Sequence, residues 1–101
     1  MSSIDATLTE RGSRYGEYRE HAVITQNLKD VMYRTSKWAI LEPHQKETLE
    51  MIAHKIGRIL NGDPMYHDSW FDIVGYAKLT ADELLPKNVV PVVATLAKQK
   101  K

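Results

Sequence analysis

The chain has 101 residues, of which 43% are hydrophobic and 27% are charged, and this length allows one small domain. The absence of cysteine excludes disulfides, thiolate metal sites and cysteine nucleophiles. The 14 basic and 13 acidic side chains give a net charge of +1, which argues against nucleic acid as a partner. A domain this small buries little of its surface, so we expect it to form a homo-oligomer.

The sequence lacks the two features that would direct the chain to a membrane. No apolar run approaches the roughly 18–20 residues needed to span a bilayer. The N-terminal Met-Ser-Ser-Ile-Asp has neither the basic nor the apolar block of a signal peptide. We therefore expect a cytoplasmic protein without a membrane partner.

The N-terminal third of the chain is predicted to contain an irregular segment followed by a helix. Residues 1–16 are predicted to be irregular, because Gly12 and Gly16 interrupt any longer helix. From Glu17 to about Trp38 the apolar pattern is helical. The residues of this stripe step by four, three and four positions and share one face: Ile24, Leu28, Val31 and Thr35.

Proline and glycine place the boundaries of two further helices. Pro43 suits the first turn of a helix over about 43–60, which the Asn61-Gly62-Asp63-Pro64 sequence ends. A third helix is predicted from near His67 or Asp68 to a point before Pro86. The apolar residues assigned to the two helices are Leu49, Ile52, Ile56 and Ile59, then Trp70, Ile73, Val74, Ala77 and Leu84.

Together these elements predict an all-α protein made of a single domain over residues 1–101. Its three main helices are antiparallel and form a bundle, because the connections between them are short. Three helices bury their apolar stripes incompletely, so a second copy is expected to complete the bundle. Pro86 and Pro91 bound a C-terminal arm, residues 87–101, that is predicted to pack on a neighbour or form a short helix.

Two pairs of acidic residues are candidate ligands for magnesium. Glu47 and Glu50 are three residues apart on the second helix, and Asp68 and Asp72 are four apart on the third, so each pair shares a face. Hard oxygen ligands of this kind suit Mg²⁺. The alternative is that both pairs are ordinary solvated charges. Convergence on one metal requires helix tilt or a second subunit, because a helix rises about 1.5 Å per residue.

Basic and aromatic residues near the same helices are candidate nucleotide ligands. Lys55 and Arg58 are three residues apart, and an arginine fork beside a lysine suits a phosphate group. The alternative is ion pairing to the third helix, with Arg58 bridging to Asp72 or Asp68. Tyr15 and Tyr76 are candidates for stacking on a nucleobase.

Several of these residues belong to motifs that resemble a known family. The motifs are Glu10-Arg11-Gly12, Tyr15-Gly16-x-x-x-Glu20, Lys55-Ile56-x-Arg58-Ile59 and Asp68-x-x-x-Asp72-Ile73-x-Gly75-Tyr76. Over roughly residues 10–85 the chain resembles a family of small phage and prophage proteins of unassigned function. The segment from Met51 to Leu79 carries the most specific part of the match. The resemblance implies that the chain works in the cytoplasm of a host cell.

That family in turn looks like a distant relative of the MazG-like all-α nucleoside triphosphate pyrophosphatases. Those enzymes bind magnesium through Glu-x-x-Glu on one helix and Glu-x-x-Asp on the next, and release pyrophosphate. Glu47-x-x-Glu50 matches the first half of this pattern. Asp68-x-x-x-Asp72 departs from the second half, because Ser69 stands where the other acid is expected.

Three functions follow from the residues and the resemblance. The first is a magnesium-dependent nucleoside triphosphate pyrophosphohydrolase. The second is a non-enzymatic nucleotide-binding protein, which uses the basic and aromatic residues but needs no metal. The third is an oligomer that binds a host factor in an anti-defence role, with the C-terminal arm as the main contact.

Overall fold

The computed structural model describes residues 3–86, and all of the regular structure in this range is helical. The α-helices are α1 (Ser3–Tyr15), α2 (Tyr18–Tyr33), α3 (Pro43–Asn61) and α4 (His67–Glu83), with a short 3-10 helix at Trp38–Ile40. The predicted all-α class is therefore confirmed for the described part of the chain. The predicted C-terminal arm, residues 87–101, lies outside it. None of the helices between residues 3 and 86 combines the length and apolar character required to cross a membrane.

Helix α3 is the centre of the molecule, and α2 and α4 both pack on it rather than on each other. His21 at the start of α2 contacts His54 in the second half of α3, and Tyr33 at the end of α2 bonds to Glu50 in the first half of α3, so these two helices are antiparallel. Thr80 near the end of α4 bonds to Thr48 near the start of α3, so the next pair is antiparallel as well. Within the described part of one chain the three main helices form an open layer centred on α3.

The N-terminal segment was predicted to be irregular, and this prediction is wrong: residues Ser3–Tyr15 form α1. Gly12 lies inside this helix, where one glycine costs only about 1 kcal/mol relative to alanine and does not break the hydrogen-bonded backbone. An ion pair between Glu10 and Arg14, four residues apart, also supports the helix. No residue of α1 is buried.

Two glycines allow the end of α1 to cross the end of α3 at close range. Gly16 has a φ of +78°, in the left-handed region that favours glycine, and a Cβ there would collide with the backbone of Asn61. A Cβ on Gly62 would collide with the backbone of Tyr15. The Asn61 amide donates hydrogen bonds of 2.9 Å to the Tyr15 carbonyl and 2.8 Å to the Glu17 carbonyl.

Helix α2 ends at Tyr33, five residues before the predicted end at Trp38. The Thr35 amide and hydroxyl both bond to the Met32 carbonyl, a local arrangement that competes with continued helix. The predicted apolar stripe is also displaced. The buried residues of α2 are His21 and Thr25, whereas Val31 is 66% exposed.

Helix α3 begins at Pro43, as predicted, and ends at Asn61, within one residue of the predicted end. The Glu42 amide at its start donates to the Gln45 side chain at 2.8 Å, which satisfies one of the unpaired amides near the helix start. Ala53 and Ile59 on this helix are the buried hydrophobic residues of the described chain.

Helix α4 has the predicted position but packs through a different face. Ser69 is 3% exposed against α3, whereas Trp70 and Val74, which were assigned to the apolar side, are 53% and 46% exposed. The side chains that face α3 are thus small or polar. Several larger apolar side chains of α4 leave about half of their surface exposed within the described chain: Trp70, Phe71, Val74 and Leu79.

Candidate functional site

A pocket of about 390 Å³ opens where the end of α1, the start of α2 and the second half of α3 meet. Its position follows from the crossing of α1 over α3, which holds the two helix ends together. The walls are mostly basic and aromatic. The lining residues are Leu8, Arg11, Gly12, Tyr15, Gly16, Glu17, Tyr18, His21, His54 and Arg58.

Arg58 and Tyr15 form the closest cation–π contact of the described residues. The Arg58 guanidinium carbon lies 4.2 Å from the centre of the Tyr15 ring, and the Arg11 guanidinium carbon lies 5.7 Å from the same centre. Tyr15 also meets Tyr66 edge to face, with ring centres 6.1 Å apart. Stacking on a ring fixes the plane of a guanidinium and leaves the N–H groups at its edge able to bond an anion.

Two histidines form another wall of the pocket. His21 Nε2 and His54 Nδ1 are 3.2 Å apart, and the ring centres are 4.6 Å apart. Gly57 makes this approach possible, since a Cβ at that position would lie 2.9 Å from the His21 ring. His21 is 5% exposed, and its Nδ1 is the buried side-chain nitrogen of the described residues without a hydrogen-bond partner.

Both histidines are neutral at pH 7. Burial lowers the pKa of His21 below its ordinary value of 6.5. Burial, aided by the positive charge of Arg58, lowers the pKa of His54 to about 4. At neutral pH the positive charge in the pocket wall therefore comes from Arg58 and Arg11, which lie beside the acidic Glu17.

Lys55 lies outside this pocket and pairs with Asp72. Its Nζ is 3.0 Å from the Asp72 carboxylate, and the lysine side chain is 10% exposed. An ion pair between α3 and α4 is therefore present, but Lys55 forms it and not Arg58, which was the expected partner. Arg58, the other half of the motif, turns to the pocket and stacks on Tyr15.

The four predicted magnesium ligands lie in separate surroundings. Glu47 is exposed, and Glu50 accepts a hydrogen bond from the Tyr33 hydroxyl. Asp68 accepts a bond of 3.2 Å from the Tyr66 hydroxyl, and Asp72 pairs with Lys55. Between residues 3 and 86, one chain gathers no three His, Asp or Glu side chains in a group able to hold a metal ion.

The predicted nucleotide ligands divide between two places. Tyr15 and Arg58 line the pocket between α1, α2 and α3. Tyr76 lies in a separate shallow groove along α4, with Asp72 and Leu79 among its neighbours.

Sequence reasoning missed four residues that line the pocket: Arg11, Tyr18, His21 and His54. The histidines are 33 positions apart on different helices, and neither belongs to a recognisable metal-binding spacing. The available signal was Gly57, because a glycine in the middle of a helix often marks a place where another element approaches closely. It is this residue that admits the His21 ring.

The arrangement suits an anionic ligand that also has a flat ring. Two guanidinium groups offer fixed N–H donors for phosphate oxygens. Tyr15 and Tyr18 supply aromatic faces beside them.

Comparisons with known proteins give one match. Neither the curated proteins nor the solved structures contain a significant match to this chain. A family described as a domain of unknown function, DUF6378, matches residues 2–83, which is most of the chain and includes the pocket. This extent of match shows that the chain belongs to the DUF6378 family.

Proposed function

We propose that this protein binds a nucleotide in the α1–α2–α3 pocket and that binding needs no metal ion. The observation that carries the proposal is the stack of Arg58 on Tyr15, with Arg11 on the same ring. A guanidinium held in this way is ready to accept a phosphate group without losing further side-chain freedom. We propose that the protein handles nucleotides in the cytoplasm of a host cell, which agrees with the resemblance to small phage proteins.

Metal-independent binding is favoured over magnesium chemistry because of where the carboxylates lie. Asp72, one of the four predicted magnesium ligands, already has the buried ammonium of Lys55 as its partner. Glu50 is likewise engaged by Tyr33. A magnesium-dependent pyrophosphohydrolase would need carboxylates supplied by a second subunit, and this is the competing outcome of the experiment below.

Isothermal titration calorimetry with nucleoside mono-, di- and triphosphates, run in excess chelator and in parallel with magnesium and a pyrophosphate assay, tests the proposal. Wild-type protein is expected to bind at least one of them. Arg58→Gln is expected to weaken binding by about tenfold or more, since a hydrogen bond to a charged group contributes roughly 1.5–3 kcal/mol. The matched control is Arg34→Gln, because the Arg34 side chain is 77% exposed and pairs only locally with Asp30.

Each outcome of that titration has a definite meaning. Binding that survives in chelator and falls in Arg58→Gln supports the proposal. Binding or pyrophosphate release only with magnesium would favour the metal-dependent pyrophosphohydrolase. The absence of binding to every nucleotide would overturn the proposal and leave the host-factor oligomer as the remaining function.

We also propose that the protein works as a homo-oligomer through one face of its helix layer. Taking about 100° per residue, Trp70 and Val74 lie roughly 100–140° from the face of α4 that packs on α3. Leu49 and Leu60 lie at a similar angle from the face of α3 that packs on α4. Val31 lies at a similar angle, in the opposite direction, from the face of α2 that packs on α3. Because neighbouring helices are antiparallel, these offsets place all five residues on the same side of the layer, and all five are exposed.

A second copy of the chain fits this face because it presents the same apolar side chains to its counterpart. Arg58 is offset to the other side of α3, so the pocket stays open in such an assembly. Multi-angle light scattering is expected to show an oligomer for wild type and a monomer for Val74→Glu. Leu79→Glu is the control, since Leu79 is 61% exposed on the other side of α4. A monomeric wild type, or equal effects of the two variants, would contradict this assembly.

A further inference from the structure

The His21–His54 pair lies in the pocket wall beside the residues proposed to bind the nucleotide, which are Arg58, Arg11 and Tyr15. The two rings are joined by a single contact of 3.2 Å between nitrogens. His54 makes no other hydrogen bond to the described residues, whereas the buried His21 Nδ1 lies beside the backbone of Gly57. His54 therefore leaves one ring nitrogen of the pair able to accept a proton in the free protein.

The charges around the pair explain why it holds no extra proton in the free protein. Arg11 faces the pocket from α1, Lys29 acts from α2, and Lys55 and Arg58 act from α3. Glu17, between α1 and α2, is the acid among the lining residues. Positive charge thus exceeds negative charge around two partly desolvated imidazoles, and both effects disfavour an imidazolium.

We propose that the terminal phosphate of a bound nucleotide lies beside Arg58 and the His21–His54 pair, and that its binding draws one proton from solvent onto that pair. This inference rests on the proposed nucleotide binding. No covalent bond changes: the proton leaves water or buffer and joins a free ring nitrogen, which makes one imidazole of the pair an imidazolium. The phosphate replaces the missing negative charge, so the charged pair becomes favourable.

A phosphate monoester fits this site better than a diester or an uncharged nucleoside. At pH 7 a monoester carries between one and two negative charges, because its second pKa is about 6. The two guanidinium groups and the imidazolium carry three positive charges, and Glu17 carries one negative charge, so the net charge of about +2 matches a phosphate monoester. A nucleoside presents no charge to the pair, so its binding is expected to leave the protons unchanged.

Calorimetry at pH 7 in several buffers of different ionisation enthalpy measures the proton that accompanies binding. The probes are nucleoside monophosphates, the corresponding nucleosides, and inorganic phosphate, which separates recognition of the phosphate from recognition of the base. For each monophosphate bound, wild type is expected to take up more protons than His54→Gln, by as much as about one proton. The free phosphate group contributes the same number of protons in both titrations, so its contribution drops out of this difference. His67→Gln, with an 81% exposed side chain outside the pocket, is the control and is expected to behave as wild type.

The outcomes separate this inference from the proposed function. If no nucleotide binds, the proposed function itself fails. If a monophosphate binds with equal proton uptake in wild type and His54→Gln, the proton-linked site is overturned and nucleotide binding stands. Should His54→Gln fail to fold, nuclear magnetic resonance of the wild-type imidazole nitrogens serves instead. The inference then requires the pKa of the pair to rise when adenosine or guanosine monophosphate is added, and an unchanged pKa overturns it.

Discussion

Lys55 and Asp72 form an ion pair of 3.0 Å in which the lysine is 10% exposed and the aspartate 43% exposed. This unequal burial has a consequence for stability. Replacing the aspartate leaves a buried ammonium without a partner, whereas replacing the lysine leaves a carboxylate that water still solvates. The same pair joins the two helices that carry the most specific motifs of the chain.

We therefore expect Asp72→Asn to lower the free energy of unfolding by about 1–2 kcal/mol, a value reduced from that of a fully buried pair because Asp72 is partly exposed. Lys55→Met, which keeps the volume and removes the charge, is expected to cost less than about 1 kcal/mol. Urea denaturation of both variants measures the two values. A larger loss for Lys55→Met than for Asp72→Asn would show that the pair is not asymmetric in this way.

The two mid-helix glycines predict opposite effects of the same substitution. A Cβ on Gly57 would meet the Thr25 side chain at 2.5 Å and the His21 ring at 2.9 Å, whereas Gly75 has open space around it. Gly57→Ala is expected to destabilise the protein by about 1–2 kcal/mol, because overpacking outweighs the gain in helix propensity. Gly75→Ala is expected to stabilise it by up to about 1 kcal/mol. Thermal denaturation measures both, and effects of equal sign would contradict the packing described at Gly57.

Asn61 holds α1 against the end of α3 through two hydrogen bonds to the Tyr15 and Glu17 carbonyls. Asn61→Asp replaces both donors with a carboxylate that faces two carbonyl oxygens. We expect a loss of about 2 kcal/mol or more in the free energy of unfolding. Asn27→Asp, at an exposed position of α2, is the matched control and is expected to change stability little. Hydrogen exchange adds a local test, since the α1 amides of Asn61→Asp are expected to exchange faster than those of wild type.

The two pocket histidines predict how stability depends on pH. Their folded-state pKa values lie below 6.5, with that of His54 at about 4, so the unfolded chain binds more protons between these limits. The folded protein is therefore most stable with respect to these two groups above pH 6.5, where both imidazoles are neutral in either state. It loses this stability as the pH falls towards 4. We expect His54→Gln to lose less stability than wild type over this interval. Urea denaturation at several pH values measures it, and parallel curves for the two proteins would contradict the low pKa of His54.

The boundaries of α3 and α4 were predictable from the sequence because local chemistry sets them. Pro43 begins one helix, and the Asn61-Gly62-Asp63-Pro64 turn ends it. Both signals act through the backbone of the residues concerned and need no distant partner. In α1 the glycines misled the prediction, since Gly12 sits inside a helix and Gly16 alone ends it.

The packing faces were less predictable because they depend on what covers each helix. An apolar stripe indicates which side will be buried in the complete assembly, but the described chain buries Ser69 of α4 and leaves Trp70 exposed. The apolar pattern of α4 thus carries information about a surface that one copy of the chain does not cover. This mismatch is the physical ground for the proposed oligomer.

The sequence by itself determined the helical class, the ends of α3 and α4, and the presence of basic and acidic residues at helical spacing. These depend on the backbone preferences and periodicity of neighbouring residues. Tertiary structure alone decided which charges meet. It paired Lys55 with Asp72, stacked Arg58 on Tyr15 and brought His21 to His54 from 33 residues away. Contacts between helices depend on their crossing and rotation, and the close approach at Gly16, Gly57 and Gly62 fixes both.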